Sequence, residues 1–109
     1  MKLLLDTVTI IRITMDESML SKAAVNAYRD PFNTLFVSVV SLWGIMVKNK
    51  LGKLPLPLPL SELLAPLKSA TGLRILPLKE SATYHLGKIP DLHNDPFDRM
   101  LICQALDED

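Results

Sequence analysis

Cysteine is nearly absent from this sequence, and so are the long apolar runs that mark exported or membrane proteins. Cys103 is the single cysteine among 109 residues, which excludes a disulfide framework and fits a reducing compartment. The longest apolar stretch, residues 37–47, contains two serines and falls well short of the ~20 residues that cross a bilayer. The apolar start ends at Asp6, too early for a signal peptide. We therefore expect a soluble cytoplasmic protein.

Several recurring catalytic and ligand-binding patterns are also missing. The four glycines are scattered along the chain, so there is no glycine-rich loop to cradle a phosphate. His85 and His93 lack cysteines at the spacing of a zinc site, and no Ser-His-Asp elbow is visible. His93 lies two residues before Asp95, so it could lie near a site there, although a surface loop is its ordinary place.

The net charge is zero, but the charges are unevenly distributed. Residues 1–79 carry ten basic and five acidic side chains, whereas residues 80–109 carry seven acidic and two basic ones. This balance argues against a uniformly basic nucleic-acid-binding surface, while a local basic face stays possible. The only basic cluster, Lys48, Lys50 and Lys53, fits the solvated end of a helix better than a track for RNA.

The order of apolar segments predicts a single α/β domain. With 49% hydrophobic residues the chain can bury a modest core, which excludes intrinsic disorder. Residues 7–14 fit either a strand or a helix. The predicted strands are residues 2–5, 35–40 and 73–78, and the predicted helices are residues 19–28, 42–50, 62–69, 80–86 and 95–106. Strands that alternate with helices favour a mostly parallel sheet.

Local signals set the expected ends of these elements. Ser21, Ser41 and Ser61 are candidate N-caps of the helices that follow them. Alternating prolines in residues 54–60 exclude a helix or a central strand there. That segment is expected to be an extended connection that lays leucines on the core, with a polyproline-type recognition segment as the alternative.

Two aspartates are placed where a site could form. Asp6 follows the first buried strand, and ligand sites of open α/β sheets lie at the carboxyl ends of strands. Asp98 falls in the first turn of the last helix, which could open onto the same edge. Two carboxylates that converge there could hold Mg²⁺ or Mn²⁺ and so promote phosphodiester cleavage.

A purely structural interpretation of these acids is also open. Asp95 fits the N-cap of the last helix, with Pro96 at its first position. An acid at the position of Asp98 is favoured by the helix dipole without any function.

Three blocks resemble the PIN-domain ribonucleases, in particular the VapC-type toxins of VapBC toxin–antitoxin modules. The blocks are MKLLLDTVTI at residues 1–10, VSVVSLWGIMVKNKLGKL at residues 37–54 and LHNDPFDRMLICQAL at residues 92–106. The resemblance implies a three-layer α/β/α sandwich around a short parallel sheet, and cleavage of RNA with Mg²⁺ or Mn²⁺ held by about four acids. Asp6 and Asp98 match two of these acids, and Asp95 matches a further one.

The chain also departs from that pattern. Gly44 stands where the resemblance implies a second acid, the fourth acid has no counterpart, and Val8 replaces a frequent histidine. The resemblance also implies about two further strand segments after residue 106, without which an edge of the sheet stays unpaired.

These departures predict a nuclease activity that is weakened or lost. They also predict self-association as a homodimer. The alternative is a non-catalytic PIN-like module that pairs with an antitoxin-type partner or a homologue, or a remnant that folds but does little.

Two further residues have expected environments. Trp43 is expected in the core or in a dimer interface, because its indole is large and apolar. Cys103 is expected to be a small core residue of the last helix.

Overall fold

Three short strands pair in parallel in the order β1–β2–β3. The computed structural model describes residues 1–90 and 95–108. The strands are β1 (Lys2–Leu5), β2 (Thr34–Ser38) and β3 (Arg74–Leu76). The parallel sheet with intervening helices confirms the predicted α/β class.

Six α-helices accompany the sheet in the described part of the chain. They are α1 (Thr7–Met15), α2 (Lys22–Arg29), α3 (Val39–Lys50), α4 (Leu60–Thr71), α5 (Glu80–Tyr84) and α6 (Pro96–Glu108). Short 3₁₀ turns cover Glu17–Met19 and His85–Lys88. Within the described residues, no helix is long and apolar enough to cross a membrane.

The two faces of the sheet are covered by different helices. Leu5, Leu35 and Val37 point to one face, where they share a buried cluster with side chains of α1 to α4. Leu4 and Phe36 alternate to the other face, where they share a cavity with Ala105 of α6. Helices therefore lie against both faces of the sheet.

Two of the expected N-caps are wrong, and a third is confirmed. Helix α3 begins at Val39, two residues after the buried Val37, because the Ser38 hydroxyl accepts a hydrogen bond of 3.0 Å from the amide of Val40. Ser41 therefore lies inside the helix. Ser61 also lies inside its helix, since α4 begins at Leu60. The Ser21 hydroxyl does cap α2, accepting from the amide of Ala24 at 3.1 Å.

The two ambiguous segments have clear structures. Residues 7–14 belong to α1, which Asp6 caps at its N-terminus. Residues 54–59 form neither helix nor strand, and Leu54 and Leu56 pack against the core cluster. This confirms a connection that lays leucines on the core, because the prolines block regular hydrogen bonding while Leu54 and Leu56 bury apolar surface. The prediction is wrong at Leu60, which begins α4.

Helix α6 is fixed to the sheet by a buried polar side chain. Gln104 accepts a hydrogen bond from the Ser38 hydroxyl at the end of β2, and its amide donates to the carbonyl of Pro77 at 3.3 Å. Both Ser38 and Gln104 are fully buried. Since unpaired buried polar groups are costly, this contact fixes the position of α6 along the sheet.

Helix α3 approaches α6 closely at one glycine. A Cβ atom on Gly44 would lie 3.1 Å from Cγ of Phe97, in the first turn of α6. The ring of Trp43 meets the ring of Phe97 edge to face, with centroids 4.9 Å apart. Gly44 thus leaves the space that Phe97 occupies.

We predict that the effect of Gly44→Ala on stability depends on Phe97. Alanine is favoured over glycine in a helix by about 1 kcal/mol. With Phe97 present the tight contact should cancel or reverse this gain. In a Phe97→Ala background the gain should appear as a rise in melting temperature of several degrees. Thermal denaturation of the four proteins of this double-mutant cycle measures the coupling, and the same effect of Gly44→Ala in both backgrounds would contradict it.

Candidate functional site

Asp6 lies at the carboxyl end of β1, where it also caps α1. Its Oδ1 accepts a hydrogen bond of 2.7 Å from the amide of Thr9, and the residue is exposed. A carboxylate has two oxygens with several lone pairs, so this hydrogen bond leaves acceptor capacity for a ligand. The strand end and the cap together hold the carboxylate at this edge.

Asp98 lines the same cavity as Asp6. It is the third residue of α6 and is half-buried. The cavity has a volume of about 340 Å³, and its remaining lining is mostly apolar: Leu4, Thr7, Val8, Leu101, Ile102 and Ala105. Two predicted site residues that are 92 positions apart in the chain are thus brought to one open cavity at the end of β1.

Asp95 has other contacts. Its Oδ1 accepts a hydrogen bond of 2.9 Å from the amide of Phe97, which confirms it as the N-cap of α6, and Oδ2 lies 3.1 Å from Nζ of Lys48. Burial would raise the pKa of Asp95, but the amide of Phe97 and the ammonium of Lys48 together hold it below its ordinary value. The lining of the Asp6 and Asp98 cavity does not include Asp95.

The donor set of this cavity is small. Among residues 1–90 and 95–108, no three His, Cys, Asp or Glu side chains form a group that could hold a metal ion. Asp6 and Asp98 supply two hard oxygen donors, which fit Mg²⁺ or Mn²⁺ with water completing the coordination shell. Two carboxylates alone give weak binding, because fewer charged ligands compensate for dehydration of the cation.

Gly44 lies on the face of α3 that adjoins the site. Ser41, Gly44 and Lys48 follow a spacing of three and four residues, which places them on one face of the helix. Ser41 contacts Thr7 beside Asp6, and Lys48 contacts Asp95. The side chain of an acid at position 44 would therefore leave the helix between Ser41 and Lys48, but its Cβ would lie in close contact with Phe97.

Buried hydroxyl groups support the site, although they were not among the predicted site residues. Thr7 lines the cavity and donates a hydrogen bond of 3.0 Å to the Ser41 hydroxyl, and both residues are buried. The sequence offered one signal for such buried polar groups, namely a polar residue in an apolar segment. Ser41 lies within the apolar run at residues 37–47, and Gln104 lies within an aliphatic helix. A polar residue in such a run either faces solvent or has a buried partner, and the sequence alone does not distinguish these.

The prediction that Trp43 lies in the core is wrong. Its side chain is 61% exposed, and it forms an exposed apolar stripe on α3 together with Val39 and Met46. The alternative expectation, a dimer interface, is not tested by this exposure. Cys103 does lie in the core, fully buried, and its burial raises the pKa of the thiol.

A larger cavity lies elsewhere in the described part of the chain. Its volume is about 680 Å³, and residues of α1, α2 and α4 line most of it. Its only acidic lining residue is Glu62. The smaller cavity with Asp6 and Asp98 is therefore the better candidate for carboxylate chemistry. His93 lies outside the described residues.

We predict that two substitutions of Asp95 distinguish the stability contributed by its N-cap hydrogen bond from that contributed by its ion pair with Lys48. Asparagine caps a helix as well as aspartate, so Asp95→Asn should remove only the charge contribution, whereas Asp95→Ala should cost about 1 kcal/mol more. Because the folded-state pKa of Asp95 is lowered, its charge stabilises the protein at neutral pH. That contribution should disappear as the pH falls below about 4.

Urea denaturation of the three proteins at neutral and acidic pH measures these differences. The native protein and Asp95→Asn should converge in acid, while Asp95→Ala stays less stable than Asp95→Asn. A native advantage over Asp95→Asn that persists in acid would argue against the assigned ion pair.

The chain matches no protein-family model, no curated protein and no solved structure.

Proposed function

We propose that the chain is a PIN-type domain related to the VapC-type ribonuclease toxins, with a weakened or lost Mg²⁺- or Mn²⁺-dependent RNA cleavage activity. The observation that carries this proposal is the shared cavity of Asp6 and Asp98 at the carboxyl end of β1. The motifs around both aspartates, which resemble that family, support it further.

The arrangement of the helices is compatible with the proposed three-layer sandwich. Helices α1 and α4 contribute to the core on one face of the parallel sheet, and α6 contacts the other. In such a sheet the carboxyl ends of the strands are the usual place for a ligand.

The residues present also explain why activity would be weak. A divalent cation bound by Asp6 and Asp98 would supply Lewis-acid activation of an RNA phosphodiester. Asp6 and Asp98 would position it, but Gly44 contributes no carboxylate and Asp95 is paired with Lys48. Lys50 and Lys53 are exposed and could attract the phosphate backbone.

We predict a Mn²⁺-dependent rise in melting temperature that requires Asp6. At a concentration ten times its Kd, a cation stabilises by about 1.4 kcal/mol, which corresponds to several degrees for a domain of this size. Asp6→Asn should abolish the rise while keeping the helix cap, since asparagine also caps. The matched control is Asp30→Asn, because Asp30 is an exposed aspartate whose carboxylate also accepts a backbone amide hydrogen bond, from Phe32.

The same proteins should be assayed on a structured RNA with Mn²⁺. Slow cleavage that Asp6→Asn removes supports the weakened nuclease. A melting temperature that Mn²⁺ raises equally in Asp6→Asn would contradict metal binding at this cavity. Fast cleavage would contradict the predicted weakening.

A second candidate function is a non-catalytic module that binds an antitoxin-type protein, a homologue or a second copy of the chain. The exposed stripe of Val39, Trp43 and Met46 supports a protein partner, because contiguous exposed apolar side chains are a feature of interaction sites. A cavity of about 240 Å³ beside Trp43 is lined by apolar groups of Leu78, Leu86 and Phe97. It could accept an apolar side chain of such a partner.

We predict that binding of an antitoxin-type partner shifts the fluorescence of Trp43, the only tryptophan of the chain. The protein encoded by the neighbouring reading frame is the partner to test, and burial of the indole should shift its emission to shorter wavelength. Trp43→Ser should weaken the complex at least tenfold in calorimetry. Phe32→Ser is the matched control, because Phe32 is also exposed but lies before β2. Equal weakening by both variants would argue against the stripe.

A further inference from the structure

The cavity beside Trp43 is lined mainly by apolar side chains of α3 and α6. Its volume is about 240 Å³. Helix α3 contributes Val40 and Trp43, which are three residues apart and therefore share one face of the helix. Helix α6 contributes Phe97 and Met100, which have the same spacing. We call this space the Trp43 cavity.

The Trp43 cavity has a buried floor and an exposed apolar rim. Val40 is 3% exposed and lies at the floor. Trp43, Leu78 and Leu86 are large apolar side chains that are all exposed, and they form the rim. Leu78 lies between β3 and α5, and Leu86 lies in the 3₁₀ turn after α5. Four separate segments of the chain thus surround one concave space, which is the usual form of a small-molecule site.

The walls of the Trp43 cavity favour an aromatic ligand. The rings of Trp43 and Phe97 meet at an interplanar angle of 88° and both line the cavity. Aromatic rings prefer edge-to-face or offset-stacked contacts with one another, so a third ring could extend this arrangement. The thioether of Met100 also makes favourable contacts with aromatic rings.

The charge of the lining favours a neutral ligand. Arg99 contributes to the lining, but the surface of the cavity consists almost entirely of apolar atoms. No acidic side chain of the described residues lines it. An ionised group placed against such a surface would lose its hydration without an equal gain, which costs free energy.

The volume of the Trp43 cavity limits the size of the ligand. An apolar cavity of about 150 Å³ can hold a benzene molecule, whereas pockets for drug-sized ligands begin at about 300 Å³. The volume of about 240 Å³ lies between these values. It therefore suits a molecule of one or two rings.

We propose that the Trp43 cavity is a binding site for a small neutral aromatic molecule of one or two rings. The ring lies against Trp43, Phe97 and Met100, and a polar substituent lies at the open rim. This site does not depend on the proposed nuclease activity, because Asp6 and Asp98 line a different cavity. It is also distinct from a partner interface, since a free molecule occupies it without a second protein.

Titration with p-cresol tests the site by nuclear magnetic resonance. Trp43 is the only tryptophan, so its indole N–H gives a single signal that reports on the cavity. We expect p-cresol to shift this signal in a saturable way, with a Kd of about 1 mM or below. Nuclear Overhauser contacts from the p-cresol ring to the methyl groups of Val40 should place the ring at the floor. Because Val40 is buried, contact with the exposed face of Trp43 alone would not produce them.

Two matched compounds test the chemical class of the ligand. 4-Methylcyclohexanol has the carbon skeleton of p-cresol without the aromatic ring, and it should bind about fivefold more weakly. p-Toluate carries a negative charge and should also bind more weakly than p-cresol. Equal binding of 4-methylcyclohexanol would contradict the aromatic preference, and tighter binding of p-toluate would contradict a neutral ligand.

A substitution at the rim tests the location. Leu78→Ser removes part of the apolar rim and should weaken p-cresol binding by about threefold or more. Leu106→Ser is the matched control, because Leu106 is an exposed leucine that does not line the cavity. It should bind like the native chain. An indole signal that stays unchanged at about ten times the expected Kd would overturn the proposal. Equal weakening by both variants would also overturn it.

Discussion

The candidate site depends on how α6 is fixed to the sheet, and the buried side chain of Gln104 is the contact that fixes it. Gln104 bonds to Ser38 at the end of β2 and to the carbonyl of Pro77 after β3. A register shift of α6 would leave these buried groups without partners, at a cost of about 1–3 kcal/mol for each. Since Asp98 is on the same helix, this contact also determines which edge of the sheet its carboxylate reaches.

Packing and chemistry conflict at Gly44. Phe97 fills the space beside this glycine, and its ring also contacts Trp43. A carboxylate at position 44 would increase the negative charge near Asp6 and Asp98, but its Cβ would lie 3.1 Å from Cγ of Phe97, so the ring would have to shift by a few tenths of an ångström. Glycine at position 44 thus allows the close contact between α3 and α6, and it leaves Asp6 and Asp98 as the two acids of the cavity. In the same region Lys48 neutralises Asp95, which further lowers the charge available to a cation.

Two surfaces of the molecule differ in chemistry. The stripe on α3 exposes apolar side chains, with Trp43 as the largest, and a cavity of about 240 Å³ lined by Leu78, Leu86 and Phe97 lies beside it. The cavity at the end of β1 instead carries the carboxylates of Asp6 and Asp98. Helix α6 contributes to both, since Phe97 lines the first cavity and Asp98 the second.

Much of the architecture followed from local patterns in the sequence. Short apolar runs predicted the strands, and the Asp95-Pro96 pair predicted the start of α6, because strand burial and helix capping are governed by a few neighbouring residues. The predicted start of α3 was wrong. Either Ser38 or Ser41 could cap a helix, and only the position at which the strand pairing of β2 ends decides between them.

By itself the sequence determined the parallel α/β class, the helix caps at Ser21 and Asp95, and the two aspartates as candidates. The tertiary structure alone decided that Asp6 and Asp98 share a cavity and that Asp95 is occupied by Lys48. It also decided that Trp43 is exposed and that Gly44 is packed against Phe97. The physical reason is distance along the chain. Caps and strand periodicity act over a few residues, whereas these contacts join α3 and β1 to a helix that begins more than 45 residues later.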